Sequence, residues 1–513
     1  MAGLTMLAVF AASSAFGNSV PQLGFERTVT NTNSSGAGSL SDAILQANSS
    51  NTGDTIVFDS GVTGTITLTA ATLEIVHSMT IIGPGASQVA ISGAGNFQVF
   101  LVDAGATVSI SGLTIEQGTG NGGGIGNSGT LTLTNSTVSG NFATSHSGEV
   151  GGGILNVGTL TVTNSTVSGN TARSAGGGIG NEQGTVTINN STISGNVAQL
   201  AAGGGIVNFF GATLTATNST FSGNTAVSGG GIENVGTLTL TNSTLSGNSA
   251  ASNGGGIDND SVASATLKNT IVANNPFGGN CASSGMFTSA GHNLSDDTTC
   301  GGVFIGIGDL NNSPAGLDPA GLRDNGGPTQ TIALLATSPA VDAVSVSPAN
   351  FCTALDLSPI TTDQRGGARP QGPACDIGAF ELAVAPVAGK LAISPARLNF
   401  GAVKVNQARI KLVKILNAGH TSKKNHPLPI VVQMESVTGT PAPSPFSVST
   451  LCSNDELQPA GKGVPPSATF CKVAVQFEPT QAVSYTGTLT IFDNLEPNQM
   501  QTVPLTGRGK AAK

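Results

Sequence analysis

The chain has 513 residues, enough for two or three domains, with only 9% charged residues and 72 glycines. Its net charge of −9 conceals an asymmetry, because residues 1–385 carry 6 basic and 22 acidic side chains, whereas residues 386–513 carry 13 basic and 6 acidic ones. The N-terminal part therefore has no basic stripe to neutralise phosphates, which argues against nucleic acid as a partner.

Residues 1–17 are apolar and rich in small residues, so they resemble a secretory signal peptide, although the positive n-region is missing. We expect export, and the alternative is a disordered or buried N-terminus. No later run reaches the roughly 18 apolar residues that a membrane helix needs, so no transmembrane span is predicted.

The N-terminal segment 18–53 contains a short amphipathic pattern at residues 38–48, with Ser39 or Ser41 available as the N-cap. A helix here would close the open end of a solenoid, whose strand edges otherwise invite aggregation. The runs that follow residue 54 are β-branched and interrupted by glycine, as expected for buried parallel strands.

Six copies of one phrase occupy residues 122–275. Each copy has a triple glycine, then an isoleucine, an asparagine, an alternating Thr/Leu strand and Ser-Gly-Asn. The triple glycines begin at positions 122, 151, 176, 203, 229 and 254, a period typical of a solenoid. The alternation predicts a strand, and the Asn-Ser-Thr triplet predicts a corner, so each copy should form two or three short strands. We predict one rung of a parallel β-helix per copy.

Stacked rungs would place equivalent side chains about 4.8 Å apart. The predicted inward columns are Ile125, Ile154, Ile179, Ile206, Ile232 and Ile257, and Leu133, Val162, Ile188, Ala216, Leu240 and Leu267. The asparagine after each Thr/Leu strand is expected to hydrogen-bond up the stack. This column is Asn135, Asn164, Asn190, Asn218, Asn242 and Asn269. The same triplets are formal glycosylation acceptors, but their recurrence at a corner favours a geometric role.

The outward threonines form two columns that could meet a repetitive ligand such as a glycan chain. The columns are Thr130, Thr159, Thr185, Thr213 and Thr237, and then Thr132, Thr161, Thr187, Thr215, Thr239 and Thr266. The competing interpretation is β-propensity alone, because threonine suits an exposed strand face. Similar arrays also occur in ice-binding β-helices, which adds a further hypothesis.

Many β-helices are polysaccharide lyases or hydrolases, but the residues needed for such chemistry are scarce here. A lyase needs a strong base, and between residues 36 and 281 only Arg173 and Lys268 are basic. They occupy non-equivalent positions of rungs that are far apart along the solenoid. No cofactor is expected.

A glycoside hydrolase needs two carboxylates about 5–9.5 Å apart. Glu233 and Asp258 occupy the same slot on adjacent rungs, with Asp260 two residues further on, so they could share a cation or a raised pKa. Other copies place Gly, Leu or Val in this slot, and variation at an exposed position is the simpler interpretation. These three residues are weak catalytic candidates, and no metal site is assigned.

After Asn275 the period fails, and we predict an irregular cap from about residue 276 to 382. Local spacing suggests three disulfides, Cys281–Cys300, Cys352–Cys375 and Cys452–Cys471, although the sequence does not fix the pairing. Zinc is the alternative, but a paired CxxC or nearby His cluster is missing. Charged residues are concentrated near the end of the cap. They could form a carboxylate/arginine functional site, or they could be ion pairs that close the end of the solenoid. These residues are Asp363, Arg365, Arg369, Asp376 and Glu381.

Residues 383–390 have the composition of a linker, and residues 391–508 alternate between short strands and turns as a β-sandwich does, before a tail at 509–513. The positive charge of this part could favour an acidic glycan or an anionic surface, or be only a solvated face.

Several phrases carry a resemblance to known families. SLSDAILQAN, GDTIVFDSGVTGTITL and DNGGPTQTIALLATSPAVDA resemble bacterial right-handed parallel β-helix proteins of the choice-of-anchor type. The GGGI and FSGN phrases are similar to the GGAI and FxxN repeats of polymorphic outer-membrane proteins. LAISPARLNFGAV and KVAVQFEPTQAVSYTGTLTIFD resemble the choice-of-anchor D domain, an immunoglobulin-like module related to the ASH group. The choice-of-anchor β-helix proteins often have a cysteine where Gly38 stands in this chain, so a disulfide anchored at that position is absent.

These resemblances imply an exported, cell-surface or secreted β-helix, usually without assigned catalysis, joined to a spacer or attachment module. The predicted fold class is all-β, a right-handed parallel β-helix over residues 54–382 followed by an immunoglobulin-like β-sandwich. The leading function is adhesin-like or glycan-binding, with a polysaccharide or other cell-surface ligand as partner. A polysaccharide-degrading enzyme is the alternative, followed by a structural surface stalk or ice binding. The oligomeric state is left open.

Overall fold

The computed structural model describes residues 24–50, 52–143, 149–346, 350–383, 391–417, 430–450, 456–457, 470–493 and 500–511. The predicted signal peptide and residues 384–390 of the predicted linker lie outside these ranges. The chain forms two compact units, Met1–Asn312 with Leu322–Thr331, and Ser313–Gly321 with Ile332–Lys513. The described ranges contain no helix suited to spanning a bilayer.

The first unit is a parallel β-helix in which each repeat contributes up to four strands. In the first repeat these strands are Ile125–Asn127, Thr130–Thr134, Thr137–Ser139 and Phe142–Ala143. Equivalent strands of successive repeats pair in parallel and build four sheets, which we number 1 to 4 in the order that a repeat enters them. The predicted all-β fold class, with a parallel solenoid ahead of a smaller β domain, is confirmed.

The four sheets differ in length. Sheet 1 contains Leu73–Ile75, Phe100–Val102, Ile125–Asn127, Ile154–Asn156, Ile179–Asn181, Ile206–Asn208, Ile232–Asn234, Ile257–Asn259 and Cys281–Ser283. Sheet 2 contains Glu26–Val29, Asp54–Phe58, Met79–Ile82, Thr107–Ser111, Thr130–Thr134, Thr159–Thr163, Thr185–Asn189, Thr213–Thr217, Thr237–Thr241, Ser264–Lys268 and Met286–Ser289. Sheet 3 contains Gly64–Thr67, Val89–Ser92, Thr114–Glu116, Thr137–Ser139, Thr166–Ser168, Thr192–Ser194, Thr220–Ser222, Thr244–Ser246, Ile271–Ala273 and Leu294–Ser295. Sheet 4 contains Phe142–Ala143, Thr171–Ala172, Val197–Ala198, Thr225–Ala226 and Ser249–Ala250.

The predicted inward columns form the core of the solenoid. Ile125 pairs in register with Ile154, and Leu133 pairs with Val162 on the neighbouring sheet. All members of both columns are fully buried, and they belong to one continuous hydrophobic cluster. Because each rung alone cannot cover its apolar side, burial between neighbouring rungs supplies the driving force for stacking.

The corner between sheets 2 and 3 corrects one prediction. The asparagine column that begins at Asn135 has backbone φ angles between 47° and 51° in all six copies. Asparagine adopts this left-handed conformation more easily than other residues with a side chain, so its function here is to turn the chain. The predicted side-chain ladder lies elsewhere.

Two other asparagines in each copy form the amide ladders. In both, the Nδ2 group of one rung donates to the Oδ1 atom of the next at 2.7–3.2 Å. The first ladder is Asn127, Asn156, Asn181, Asn208, Asn234 and Asn259, and the second is Asn141, Asn170, Asn196, Asn224, Asn248 and Asn275. These buried amides satisfy one another and the backbone at the bends.

The second ladder ends on a carboxylate. Asn275 Nδ2 donates to Asn280 Oδ1 at 2.8 Å, and Asn280 Nδ2 donates to Asp296 Oδ1 at 2.7 Å. Asn280 Nδ2 also donates to Ser295 Oγ at 2.9 Å, so both hydrogens of the last amide have acceptors.

The helix Leu40–Ser50 packs its buried Leu40, Ala43, Ile44 and Ala47 side chains into the solenoid core. Ser39 is its N-cap, because Ser39 Oγ accepts a hydrogen bond from the N–H of Asp42 at 3.1 Å. The predicted helix is therefore present. The strand Glu26–Val29 precedes it and already pairs in parallel with Asp54–Phe58.

In the second unit, residues from 391 onward form two sheets around a separate core, which we call the β domain. One sheet contains, in order, Leu391–Ser394, Arg409–Asn417, Phe470–Phe477 and Phe446–Thr450. The other contains Leu398–Lys404, Met500–Lys510, Ser484–Asp493, Ile430–Thr440 and Glu456–Leu457. Side chains from both sheets, including Phe400, Phe446, Phe477 and Tyr485, meet between them with ring centroids 4.9–5.8 Å apart.

Candidate functional site

The outward face of sheet 2 carries the predicted threonine columns, and we call it the threonine face. Thr130 pairs in register with Thr159, and Thr132 with Thr161, and the same register continues up to the strand Ser264–Lys268. In each strand the intervening apolar residues point into the core, so the hydroxyl residues must point outward.

The middle column of the threonine face is longer than the repeat pattern indicates. It extends over ten consecutive rungs, and every member is threonine or serine. The column is Thr55, Thr80, Ser109, Thr132, Thr161, Thr187, Thr215, Thr239, Thr266 and Thr288. Four members, Thr55, Thr80, Ser109 and Thr288, lie in rungs that lack the triple glycine, so the alignment of the six copies does not include them.

A third column lies beside it and consists of Ser111, Thr134, Thr163, Asn189, Thr217 and Thr241. From the rung of Thr107 to that of Thr237, every outward position of sheet 2 except Asn189 is threonine or serine. The middle column is half-buried over these rungs, so each of its side chains is still partly exposed to solvent. The result is an uncharged lattice with steps of about 4.8 Å between rungs and about 7 Å along a strand.

Sheet 3 also has outward hydroxyls, but part of it is covered. The segment Leu322–Thr331 lies against it, with Thr192 Oγ1 donating to the carbonyl of Gln330 at 2.6 Å and Thr329 Oγ1 donating to the carbonyl of Asn190 at 3.1 Å. Thr192, Thr220 and Thr244 are buried. Sheet 2 therefore presents the longer hydroxyl lattice.

The acidic candidates lie on the outward face of sheet 1. Glu233 and Asp258 are register partners on adjacent strands, as the repeat alignment predicted, and Asp260 follows that strand. Only 8% of Glu233 is exposed, and its Oε2 atom accepts a hydrogen bond from Ser228 Oγ at 2.8 Å. The preceding rung places the buried Val207 in this slot, so Glu233 has an apolar neighbour.

Burial changes the titration of this pair. Burial, together with the charges of Asp258 and Asp260, raises the pKa of Glu233 to about 7, although the Ser228 hydrogen bond opposes the shift. Burial and the charge of Asp260 also raise the pKa of Asp258. A carboxyl with a raised pKa beside a second carboxyl is an arrangement that acid–base chemistry can use, and the same shift also follows from burial of an acidic residue alone.

The basic residues considered for lyase chemistry are not brought together with this pair. Arg173 follows a strand of sheet 4, whereas Lys268 ends a strand of sheet 2 and is buried. Among the described residues, His, Cys, Asp and Glu side chains form no group of three or more that could hold a metal ion.

The charged side chains near the end of the cap form ion pairs and hydrogen bonds with one another and with the backbone. Arg369 Nη1 lies 3.1 Å from Glu381 Oε2, and Arg365 Nη2 donates to Asp363 Oδ2 at 2.6 Å. Burial and the neighbouring Glu381 carboxylate raise the pKa of Asp376 to about 7. Four of the five residues are buried, which favours the structural interpretation over a binding site.

The structure contains the disulfides Cys281–Cys300 and Cys352–Cys375, with Cα atoms 5.1 Å and 6.1 Å apart. Cys471 is also disulfide-bonded, and its predicted partner Cys452 lies outside the described residues. Disulfides are typical of proteins that fold in an oxidising compartment.

The raised pKa of Glu233 leads to a stability prediction. The folded state holds a proton on Glu233 that the unfolded chain releases near pH 4.5, so its contribution should be complete below that pH and be lost as pH rises through about 7. Glu233→Gln should remove this loss and stabilise the protein at pH 8, by at most about 3 kcal/mol.

Urea unfolding at pH 5 and pH 8 would measure this effect. Glu182→Gln removes one charge at a half-buried position of the same solenoid and is the matched control. Equal pH dependence in Glu233→Gln and the wild type would show that Glu233 does not titrate in this window.

Comparisons with known proteins give distant structural similarities. No family model matches the chain, and no curated protein matches it either. Among solved structures, it is similar to pectate lyase Pel9A, with 17% identity and a TM-score of 0.40 over 71% of this chain and 97% of that one. It is also similar to the ASH/PapD-like domain 7 of human CEP192, with 12% identity and a TM-score of 0.19 over 28% of this chain and all of that one.

A third similarity is to the secreted serine protease VesC from Vibrio cholerae, with 11% identity and a TM-score of 0.17 over 22% of this chain and 21% of that one. At these identities the similarities concern the course of the backbone, and any activity has to be argued from the side chains of this chain.

Proposed function

We propose that this chain is an exported cell-surface or secreted protein, adhesin-like and non-catalytic, that binds a glycan through its threonine face. The supporting observation is the unbroken column of ten threonine and serine residues. A glycan presents hydroxyls and C–H faces at regular intervals, and threonine offers both a hydroxyl and a methyl group.

The physics of a rigid lattice favours such binding. Threonine is stiff at χ1 and each strand is held by two neighbours, so little conformational entropy is lost when a ligand binds. Each hydroxyl contributes little by itself, but a chain that contacts several rungs adds these contributions within one complex. The absence of charge on the lattice points to a neutral sugar chain.

Removal of three neighbouring hydroxyls tests the proposal. The triple variant Thr132→Val, Thr161→Val and Thr187→Val keeps the β-branched shape and should fold normally. Because a hydrogen bond contributes about 1 kcal/mol, affinity for a neutral glycan identified on an array should fall by about ten-fold to a hundred-fold.

The matched control changes three half-buried threonines of sheet 3 instead, Thr114, Thr137 and Thr166. It should retain wild-type affinity, measured by titration calorimetry with the same glycan. Equal loss in both variants, or no glycan bound by the wild type, would contradict the proposal and leave a structural stalk as the better interpretation.

A second candidate function is polysaccharide cleavage, which the raised pKa of Glu233 beside Asp258 favours. Product analysis of the same polysaccharides separates the two. New reducing or unsaturated ends that disappear in Glu233→Gln would establish an enzyme, whereas binding without new ends supports the first proposal.

The threonine lattice also supports the ice-binding hypothesis, which thermal hysteresis tests directly. Folded protein without hysteresis would remove it.

We further propose that the solenoid and the β domain belong to the choice-of-anchor type of bacterial surface proteins, with the β domain as an attachment module. The phrases quoted above and the disulfides, which suit an exported protein, support this assignment.

A further inference from the structure

The β domain contains a groove with a volume of about 750 Å³. It is lined by residues that precede or begin the strand Leu398–Lys404, by residues of Arg409–Asn417 and by residues of Met500–Lys510. The lining includes Arg397, Asn399, Lys411, Leu412, Pro504 and Thr506. Its two charged members, Arg397 and Lys411, are both cations and both exposed. Within the described residues neither forms an ion pair.

Further cations of the same domain lie beside one another. Lys404 and Lys510 are register partners on neighbouring parallel strands, and Lys414 and Lys472 are partners on neighbouring antiparallel strands. All four side chains are exposed. Together these exposed cations contribute to a positive potential around the domain, which attracts polyanions. Residues 386–513 carry a net charge of +7, with 13 basic and 6 acidic side chains.

The lining restricts the kind of polyanion. None of the described residues that line the groove is aromatic, so they offer no ring on which a nucleic-acid base could stack. Pro395, Leu412 and Pro504 present apolar surface suited to the C–H face of a sugar ring, and Asn399 and Thr506 present groups for its hydroxyls.

We propose that this groove binds a carboxylated polysaccharide, with Arg397 and Lys411 contacting carboxylates of the sugar chain. This goes beyond the neutral-glycan site proposed for the solenoid, because it uses different residues and different ligand chemistry. In this proposal the β domain attaches the protein to an acidic polysaccharide, and the threonine face binds a different, neutral ligand.

The test uses the full chain and four probes: sodium alginate, dextran, poly-L-glutamate and double-stranded DNA. The wild type should bind alginate in 150 mM salt, and affinity should fall as salt rises, since the Debye length shortens. The double variant Arg397→Gln and Lys411→Gln should bind alginate at least about ten-fold more weakly, because two charge-assisted contacts are lost. Both positions are exposed, so the variant should fold normally, which circular dichroism checks.

The double variant Lys404→Gln and Lys414→Gln removes the same charge outside the groove and should lose less than about three-fold, an effect of net charge alone. The triple threonine variant should bind alginate as the wild type does, which separates this proposal from the one for the solenoid. The proposal is overturned if alginate does not bind, if dextran, poly-L-glutamate or DNA binds as tightly, or if both double variants lose equally.

Discussion

Replacing Asn196 by alanine is expected to lower the free energy of unfolding by about 4 kcal/mol, since several buried polar groups lose their partners at once. Asn196 Oδ1 accepts from both the backbone N–H and the Nδ2 group of Asn170 at 3.0 Å. Asn196 Nδ2 donates to Asn224 Oδ1 at 2.9 Å and to the carbonyl of Val167 at 3.0 Å. The side chain is fully buried, so water cannot replace these hydrogen bonds.

Urea denaturation followed by circular dichroism would measure the change. Asn164→Ala is the matched control, because Asn164 turns the corner with φ near 51° and its substitution should cost only the left-handed strain of about 1 kcal/mol. If the two variants lost equal stability, the amide ladder would not be a major source of stability.

The second large effect is expected for Gly204→Ala, in the middle of a triple glycine. A Cβ atom there would lie 2.5 Å from the carbonyl oxygen of Gly230 on the next rung and 2.6 Å from backbone atoms of Thr225. Backbone atoms cannot move aside as a flexible side chain can, so the rungs must separate locally. The expected loss is more than about 3 kcal/mol, at the upper end of overpacking effects.

Gly211→Ala distinguishes steric overlap from backbone strain. Gly211 has φ near 80° and no atom within 4 Å of the added Cβ, so only strain remains. Its loss should be about 1–2 kcal/mol, the cost of placing alanine in the left-handed region. Thermal unfolding of both variants, compared with the wild type, measures the difference. A smaller loss for Gly204→Ala than for Gly211→Ala would contradict the close approach of rungs described here.

The two proposed binding surfaces differ in physical character, which makes them separable by experiment. The threonine face of the solenoid is uncharged from the rung of Thr107 to that of Thr237, so binding there should respond weakly to salt. The groove of the β domain has Arg397 and Lys411, so binding there should weaken as salt rises. Titrations with the same polysaccharide at a low and at a high salt concentration therefore indicate which surface it uses.

Much of the solenoid was predictable because its side chains repeat. The Ile125 and Leu133 columns, the pairing of Thr130 with Thr159 and the shared slot of Glu233 and Asp258 all follow from aligning copies of one phrase. Parallel strands in register place equivalent positions side by side, so the alignment of copies is also a map of contacts.

The amide ladders were not predictable in the same way. Three asparagines recur in every copy, and the sequence gives no sign of which one turns the corner and which two point inward. The alternation along a strand shows which side chains point into the core only as far as the next residue in the left-handed conformation. After each corner, the inward positions have to be identified anew. Asn196 and Asn164 look equally regular in the sequence, yet one is a buried ladder member and the other a corner.

By itself, the sequence determined the period, the strands, the inward aliphatic columns and the outward threonines, because these depend on local alternation repeated at a fixed spacing. Only the tertiary structure decided the ladder asparagines, the extension of the hydroxyl column to Thr55 and Thr288, the burial of Glu233 and the groove at Arg397 and Lys411. Each of these depends on which distant segments lie beside a residue, and burial and hydrogen bonding between rungs are properties of that arrangement.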